Sequence, residues 1–168
     1  MKNKILIILS LFLLFACVLE VKYTLSDPKD AVVLKELEGN YLSVVDSSKV
    51  EFKLDNKSNI YNLYFKNEND SLVEYHKAFL SFINETYFLN FSTINRLKSD
   101  QGKEQYQFYK IHKMNKQQIN LLAVSDSLFK EKEFQSKKEF RDYFISNFDD
   151  PALFKNEKEN QIQLEKID

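Results

Sequence analysis

The chain has 168 residues, 43% hydrophobic and 29% charged, which excludes a disordered polymer and leaves one domain of ordinary size behind a short leader. Basic and acidic residues number 24 and 25, so there is no basic field for a phosphate backbone and nucleic acid is not an expected partner. The single cysteine is Cys17, and beyond it no disulfide, thiolate zinc site or cysteine nucleophile can form.

Residues 1–4 are basic, and 5–16 form an apolar run interrupted only by Ser10. That is the layout of an export signal. Loss of Lys2 and Lys4 with it leaves 22 basic against 25 acidic residues, a net charge of −3. The run ends Leu14-Phe15-Ala16-Cys17. This resembles the lipobox of bacterial lipoproteins, with Leu14 as the aliphatic residue, Ala16 as the small one and Cys17 as the lipidated cysteine. The resemblance implies a signal peptide over 1–16, an acyl lipid such as palmitate on Cys17, and a cell-envelope domain that faces away from the cytosol. The alternative is an uncleaved signal anchor over 5–19, whose helix spans about 22 Å of a hydrocarbon core of about 30 Å. On either reading the membrane is a partner. Residues 17–30, with Ser26-Asp27-Pro28, read as a tether.

A single domain is expected over 31–168. Residues 31–37 suggest a helical turn, and Gly39 marks a sharp entry into a strand at 41–45. Val50, Phe52 and Leu54 then alternate with Glu51, Lys53 and Asp55, a period of two that predicts a strand. Further strands are predicted over 60–66, 72–83, 86–92, 105–113 and 118–124, with a polar turn at 67–70 and a longer loop at 96–104. Along 105–113 the aromatic phase switches between Phe108 and Tyr109, which means either a bulge or a strand covered on both faces. The period then changes. Residues 127–134 suggest a short helix, and Ser136-Lys137-Lys138-Glu139 is a capping box. Behind it Phe140, Tyr143, Phe144 and Phe148 fall at helical spacing. Asp150-Pro151 starts another turn, and 161–167 reads as a closing strand. The fold class is therefore mainly β with late helices (α+β). It is an antiparallel meander of about seven or eight strands in a barrel or half-barrel, with a helical insertion at about 127–154 before the last strand.

The stretch Leu37-Glu38-Gly39-Asn40-Tyr41 resembles the opening of small lipocalin-like envelope lipoproteins, which usually begin Gly-x-Trp. Tyr41 stands in the place of the tryptophan. The resemblance implies a barrel whose base is plugged by that ring and, as partner, a small hydrophobic ligand or an envelope protein.

Motifs for chemistry are sparse. His76 and His112 fall on different strands, and a metal reading needs them side by side with a carboxylate such as Glu74. The plainer reading makes both half-exposed strand residues, and neither H-E-x-x-H nor H-x-H occurs. Two glycines leave little material for a nucleophile elbow or a phosphate cradle. Asp149-Asp150 fits a helix start better than an acid–base pair. Four sequons occur, at Asn56, Asn69, Asn84 and Asn90; among many asparagines some matches arise by chance, and they carry little weight in the bacterial envelope protein that the lipobox resemblance implies. Aromatics are the enriched class, with 15 Phe and 9 Tyr. Tyr61, Tyr64, Tyr87, Phe88, Tyr106 and Tyr109 are candidates to line a site for an apolar or sugar-like ligand. The competing reading is core filling, because strands select aromatics. No cofactor and no catalytic residue is expected. The function expected is a non-enzymatic binding or protein-interaction module at a membrane. The alternatives are a carrier of a small hydrophobic ligand or a membrane-tethered hydrolase with His76 or His112 as base.

Overall fold

The computed structural model describes residues 19–66, 73–93, 105–154 and 161–167, and of Thr93 the backbone alone. The predicted signal peptide, Cys17, the turn at 67–70 and the loop at 96–104 lie outside the described residues. The strands are β1 (Glu20–Val21), β2 (Gly39–Ser43), β3 (Lys49–Asp55), β4 (Ile60–Lys66), β5 (Val73–Ile83), β6 (Thr86–Thr93), β7 (Gln105–Met114), β8 (Gln118–Ala123) and β9 (Gln161–Ile167), and helix α1 (Lys137–Ser146) precedes β9. From β2 onward each strand pairs antiparallel with the next, and β9 returns to pair with β2. Eight strands thus close into an up-and-down barrel with one late helix, an architecture of the lipocalin-like kind. Closure also removes the free strand edges that invite aggregation.

Alternation along each strand sorts the side chains. Val50, Phe52 and Leu54 of β3 belong to the barrel interior, while Lys49, Glu51 and Lys53 between them are exposed. Tyr61, Leu63, Leu80, Leu89, Tyr109, Ile119 and Leu164 complete that core from the other strands. A barrel of eight strands is just wide enough for side chains to fill it. On β7 the phase switch is that of a strand covered on both faces, since the ladder with β6 runs unbroken through Phe108 and Tyr109. Phe108 packs into a second core outside the barrel while Tyr109 stays inside. Its ladder with β8 also shifts register between Ile111 and Lys113, so that Met114 rejoins the interior core.

One end of the barrel is closed by 31–37. The Val32 N–H donates to the Leu80 carbonyl at 3.1 Å. The Tyr61 hydroxyl accepts from the Leu34 N–H and donates to the Leu34 carbonyl, each at 2.8 Å. Tyr41, where a plugging ring was expected, is buried edge-on to Phe52 at 5.6 Å, and its hydroxyl donates to the Leu37 and Glu36 carbonyls at 3.2 Å. The sharp entry into β2 is real: Gly39 has φ +146°, and a Cβ there would meet the Lys166 Cε at 2.6 Å.

The outer core lies under α1. The Ser136 Oγ accepts from the Glu139 N–H at 3.2 Å, and the Glu139 carboxylate accepts from the Gln135 N–H at 2.8 Å, a capping box displaced by one residue. Phe140 and Phe144 are fully buried on the far side of the helix from solvent.

Two expectations are corrected. Residues 127–134 are not a helix but hydrogen-bonded turns, in which the Phe129 and Lys130 N–H groups both donate to the Asp126 carbonyl. Leu128, Phe129 and Phe134 lack helical spacing and instead join the core beneath α1. From Leu19 onward, moreover, the expected tether is part of the folded body. The Leu19 N–H donates to the Val124 carbonyl, and β1 pairs with β7 through Glu20↔Gln107 and Val21↔Tyr106. This edge of β7 is what β8 leaves bare after Val124, and Leu19 and Leu25 are buried in covering it. The Asn90 side chain, wholly buried on β6, fastens the same segment. Its Oδ1 accepts from the Leu25 N–H at 3.0 Å, and its Nδ2 donates to Ser81 Oγ and the Phe79 carbonyl at 2.8 and 3.1 Å. An ion pair between Asp27 and Lys137 joins it to the first turn of α1.

Candidate functional site

The end of the barrel opposite the plug is built differently. Near the plug the inward residues are large and buried: Tyr41, Phe52, Tyr61 and Leu80 are all at most 3% exposed. At the other end Phe65, Phe91 and Ile162 pack on the interior core yet remain half-buried. His76 is two residues before Ala78 on β5 and so points to the same inner face. Its ring stands edge-on to Phe65 at 5.5 Å and tilts over Phe91 at 4.7 Å. Phe65 and Phe91 meet edge-to-face at 5.9 Å, and Phe91 meets Tyr109 at 6.2 Å. Four rings therefore step inward from the rim. At the inner end the Tyr109 hydroxyl donates to the Gln107 Oε1 at 2.9 Å. Burial, with the nearby Glu20 carboxylate adding to it, holds that hydroxyl well above its ordinary pKa.

Among the described residues, polar groups at this end are few. The His76 Nδ1 lies 3.3 Å from the Ser92 carbonyl, and its Nε2 lies 3.6 Å from the largely exposed Glu74 carboxylate. Asp46, in the turn between β2 and β3, accepts from the Ser48 N–H and Oγ at 3.1 and 2.8 Å. Desolvation pushes its carboxyl up, but the bonds from Ser43 and Ser48 outweigh that and keep it below the usual carboxylate range. The turn also exposes Val44 and Val45, and Val73 is exposed at the start of β5.

The six aromatic candidates do not converge. Tyr61 and Tyr109 face the interior, with Tyr61 committed to the plug; burial pushes its hydroxyl up to about 12. Phe88 is buried beneath α1, meeting Phe144 at 5.3 Å, and Tyr106 packs against the same outer core. Tyr64 is on the outer face of β4 beside Tyr75, and Tyr87 stacks against the exposed Phe82 near the β5–β6 turn. The residues missed were Phe65 and Phe91. Both lie in phase with an inward partner, Leu63 and Leu89, two positions earlier on the same strand. Counting the inward row to the end of each strand finds them.

His76 and His112 stand apart. His112 is exposed in the register shift of β7, and β6 separates that strand from β5. Among the described residues no group of three or more His, Cys, Asp or Glu is arranged to hold a metal ion. No protein-family model, curated protein or solved structure matches the chain.

Proposed function

We propose that the chain is a membrane-tethered binding barrel that takes a small apolar ligand at the end opposite its plug. One observation carries this reading: Phe65, His76 and Phe91 form a half-buried aromatic group on the inner face at that end, whereas the interior near the plug is filled. A site with aromatic walls and few polar groups suits an apolar ligand with little more than one polar atom. Leu63, Leu89 and Tyr109, buried beneath these rings, favour a ligand held near the rim over one swallowed to the base. A protein partner is the second reading, favoured by the exposed Val44, Val45 and Val73 around the same end. The hydrolase reading has less to stand on. Among the described residues the hydrogen-bond contact of the His76 ring is a backbone carbonyl, not a serine or threonine hydroxyl.

The leader supplies the tether in this proposal, through lipid on Cys17 or through an uncleaved helix. Only Val18 separates Cys17 from the buried Leu19, so an anchor there holds the barrel against its membrane on the β1 and β7 side. Radiolabelled fatty acid fed to expressing cells is expected to label the wild type and not Cys17→Ala.

The binding reading is tested by titrating the chain with an environment-sensitive fatty-acid probe. Saturable binding that weakens about tenfold in Phe91→Ala supports it; this corresponds to ~1.4 kcal/mol, a little under the ~1.5–3 kcal/mol of a fully buried side chain, as suits a ring already half-buried. Unsaturable binding, or binding indifferent to Phe91, overturns it.

A further inference from the structure

The outer surface of β3, β4 and β5 belongs to neither the plug nor the helix side, and its register creates an unusual arrangement. Three successive rows run across these strands. Lys49, Lys66 and the exposed Val73 make the first; Glu51, Tyr64 and Tyr75 make the second; Lys53, Asn62 and Lys77 make the third. All four lysines are exposed. Like charges set directly opposite on neighbouring strands repel, and among the described residues none of the four forms an ion pair. Among the described residues the carboxylates nearby are Glu51, exposed in the middle row, and Asp55, one row further on. Asp55 is held below its ordinary pKa chiefly by the Ser58 hydroxyl and the Lys57 N–H, with Lys57 and Lys77 adding attraction. Among the described residues the face therefore carries a surplus of positive charge, on a chain whose total is −1.

Between the lysine rows lie two rings. Tyr64 and Tyr75 are half-buried, 5.4 Å apart and tilted by 47°. The Tyr75 hydroxyl donates to the Asn62 Oδ1 at 2.7 Å, which fixes the ring and leaves the Asn62 amide N–H groups as donors. On the next strands round, β6 and β7, the outward aromatics Phe88 and Phe108 are covered by α1. Here no described element plays that part.

We propose that this face binds an anionic polysaccharide, independently of the ligand at the barrel end. The chemistry is complementary at three points. A sugar ring presents an apolar C–H face, which packs on the negative face of an aromatic ring. Its carboxylate or sulfate substituents meet the ammonium groups, and its hydroxyls meet the Asn62 amide. The two lysine rows are about 13 Å apart along the strands and the three strands about 10 Å across, a footprint for a short stretch of such a chain. An acidic peptide needs the lysines but makes no particular use of flat rings between them. An anionic bilayer needs a cluster of apolar side chains that insert, and the described rows offer one exposed valine, Val73, beside tyrosines and a glutamate.

The test is binding of the full chain in detergent to an immobilised sulfated polysaccharide such as heparin. Neutral dextran, polyglutamate and anionic phosphatidylglycerol vesicles form the other arms. Saturable binding to heparin is expected, weakening as salt rises. Lys49→Gln with Lys66→Gln should lower affinity by up to about 5-fold per lysine, and Tyr75→Ala by about 2- to 12-fold. Tyr75→Phe retains the ring and should bind nearly as wild type, which separates stacking from loss of fold. The fatty-acid probe should bind all these variants equally, so this surface and the barrel end fail or succeed separately. No heparin binding overturns the proposal. So does equal binding to polyglutamate without any effect of Tyr75→Ala, and so does binding to vesicles alone.

Discussion

Replacing Phe144 with alanine tests how the helix and barrel are joined. The ring is wholly buried and meets Phe88 at 5.3 Å, Phe140 at 6.3 Å, and Phe108 and Phe129 at 6.4 Å. Two of these partners, Phe88 on β6 and Phe108 on β7, belong to the barrel wall. The cavity left by truncation is therefore walled by rigid sheet on one side and by turns on the other, and collapse will be incomplete. Phenylalanine-to-alanine changes of this kind cost about 3–5 kcal/mol. At about 2–4 °C per kcal/mol for a domain of this size, melting should fall by about 6–20 °C. Urea unfolding followed by circular dichroism should show a lower midpoint with an unchanged slope, the mark of lost stability rather than altered compactness. Arg141→Ala, on the exposed face of the same helix, should stay within about 0.5 kcal/mol. A Phe144→Ala midpoint equal to wild type would falsify the packing argument and leave α1 as an element only loosely attached.

Two neighbouring polar residues on β6 should behave oppositely. Asn90→Leu strands the Leu25 N–H and should cost about 1–3 kcal/mol, with amide exchange accelerating over 19–27. Ser92→Ala removes a buried hydroxyl that has no hydrogen-bond partner among the described residues, so its melting temperature should hold or rise. Tyr61→Phe deletes both hydrogen bonds to Leu34; faster amide exchange at 32–37 should accompany a loss of about 1–3 kcal/mol. Alkaline titration gives a further check. The folded-state pKa of Tyr61 is raised from 10.0 to about 12, and Tyr41 and Tyr109 are also raised by burial. Their contribution is intact below the unfolded value near 10 and is lost as pH climbs through the folded values. Stability should therefore decline steadily above about pH 10, with part of the tyrosinate absorbance appearing only on unfolding.

Much of this architecture was legible because a half-buried strand writes its faces into the sequence. Val50-Glu51-Phe52-Lys53-Leu54 needed no structure to orient it, and Ser136 with Glu139 announced α1 as clearly. Gly39 and Tyr41 located the entry to the barrel and the ring that seals it. What was not legible depends on pairings between distant segments. Leu19, Val21 and Leu25 look like the tail of a leader until β7 is known to have a bare edge that they cover. Residues 127–134 look helical from composition, yet their apolar residues answer to the cavity under α1. The last strand was legible at 161–167, but nothing local in it separates a closed barrel, with β9 paired to β2, from a half-barrel. The rim group was hidden for a related reason: Phe65, His76 and Phe91 come from three strands, and only the barrel's curvature brings their rings together. Conversely, Tyr64 and Tyr106 share a residue type with Tyr61 and Tyr109 but face outward, and Tyr87, in phase with Leu89, lies past the filled interior beside the exposed Phe82.

The central claim is that an apolar ligand is held at the end of the barrel opposite the plug. Amide and side-chain chemical shifts recorded during titration with a medium-chain fatty acid test it most directly. Perturbations clustered on Phe65, His76, Phe91 and Ile162, with Leu34 and Tyr61 unmoved, are the predicted result. Shifts confined to the surface of α1, or spread evenly over the chain, would contradict it.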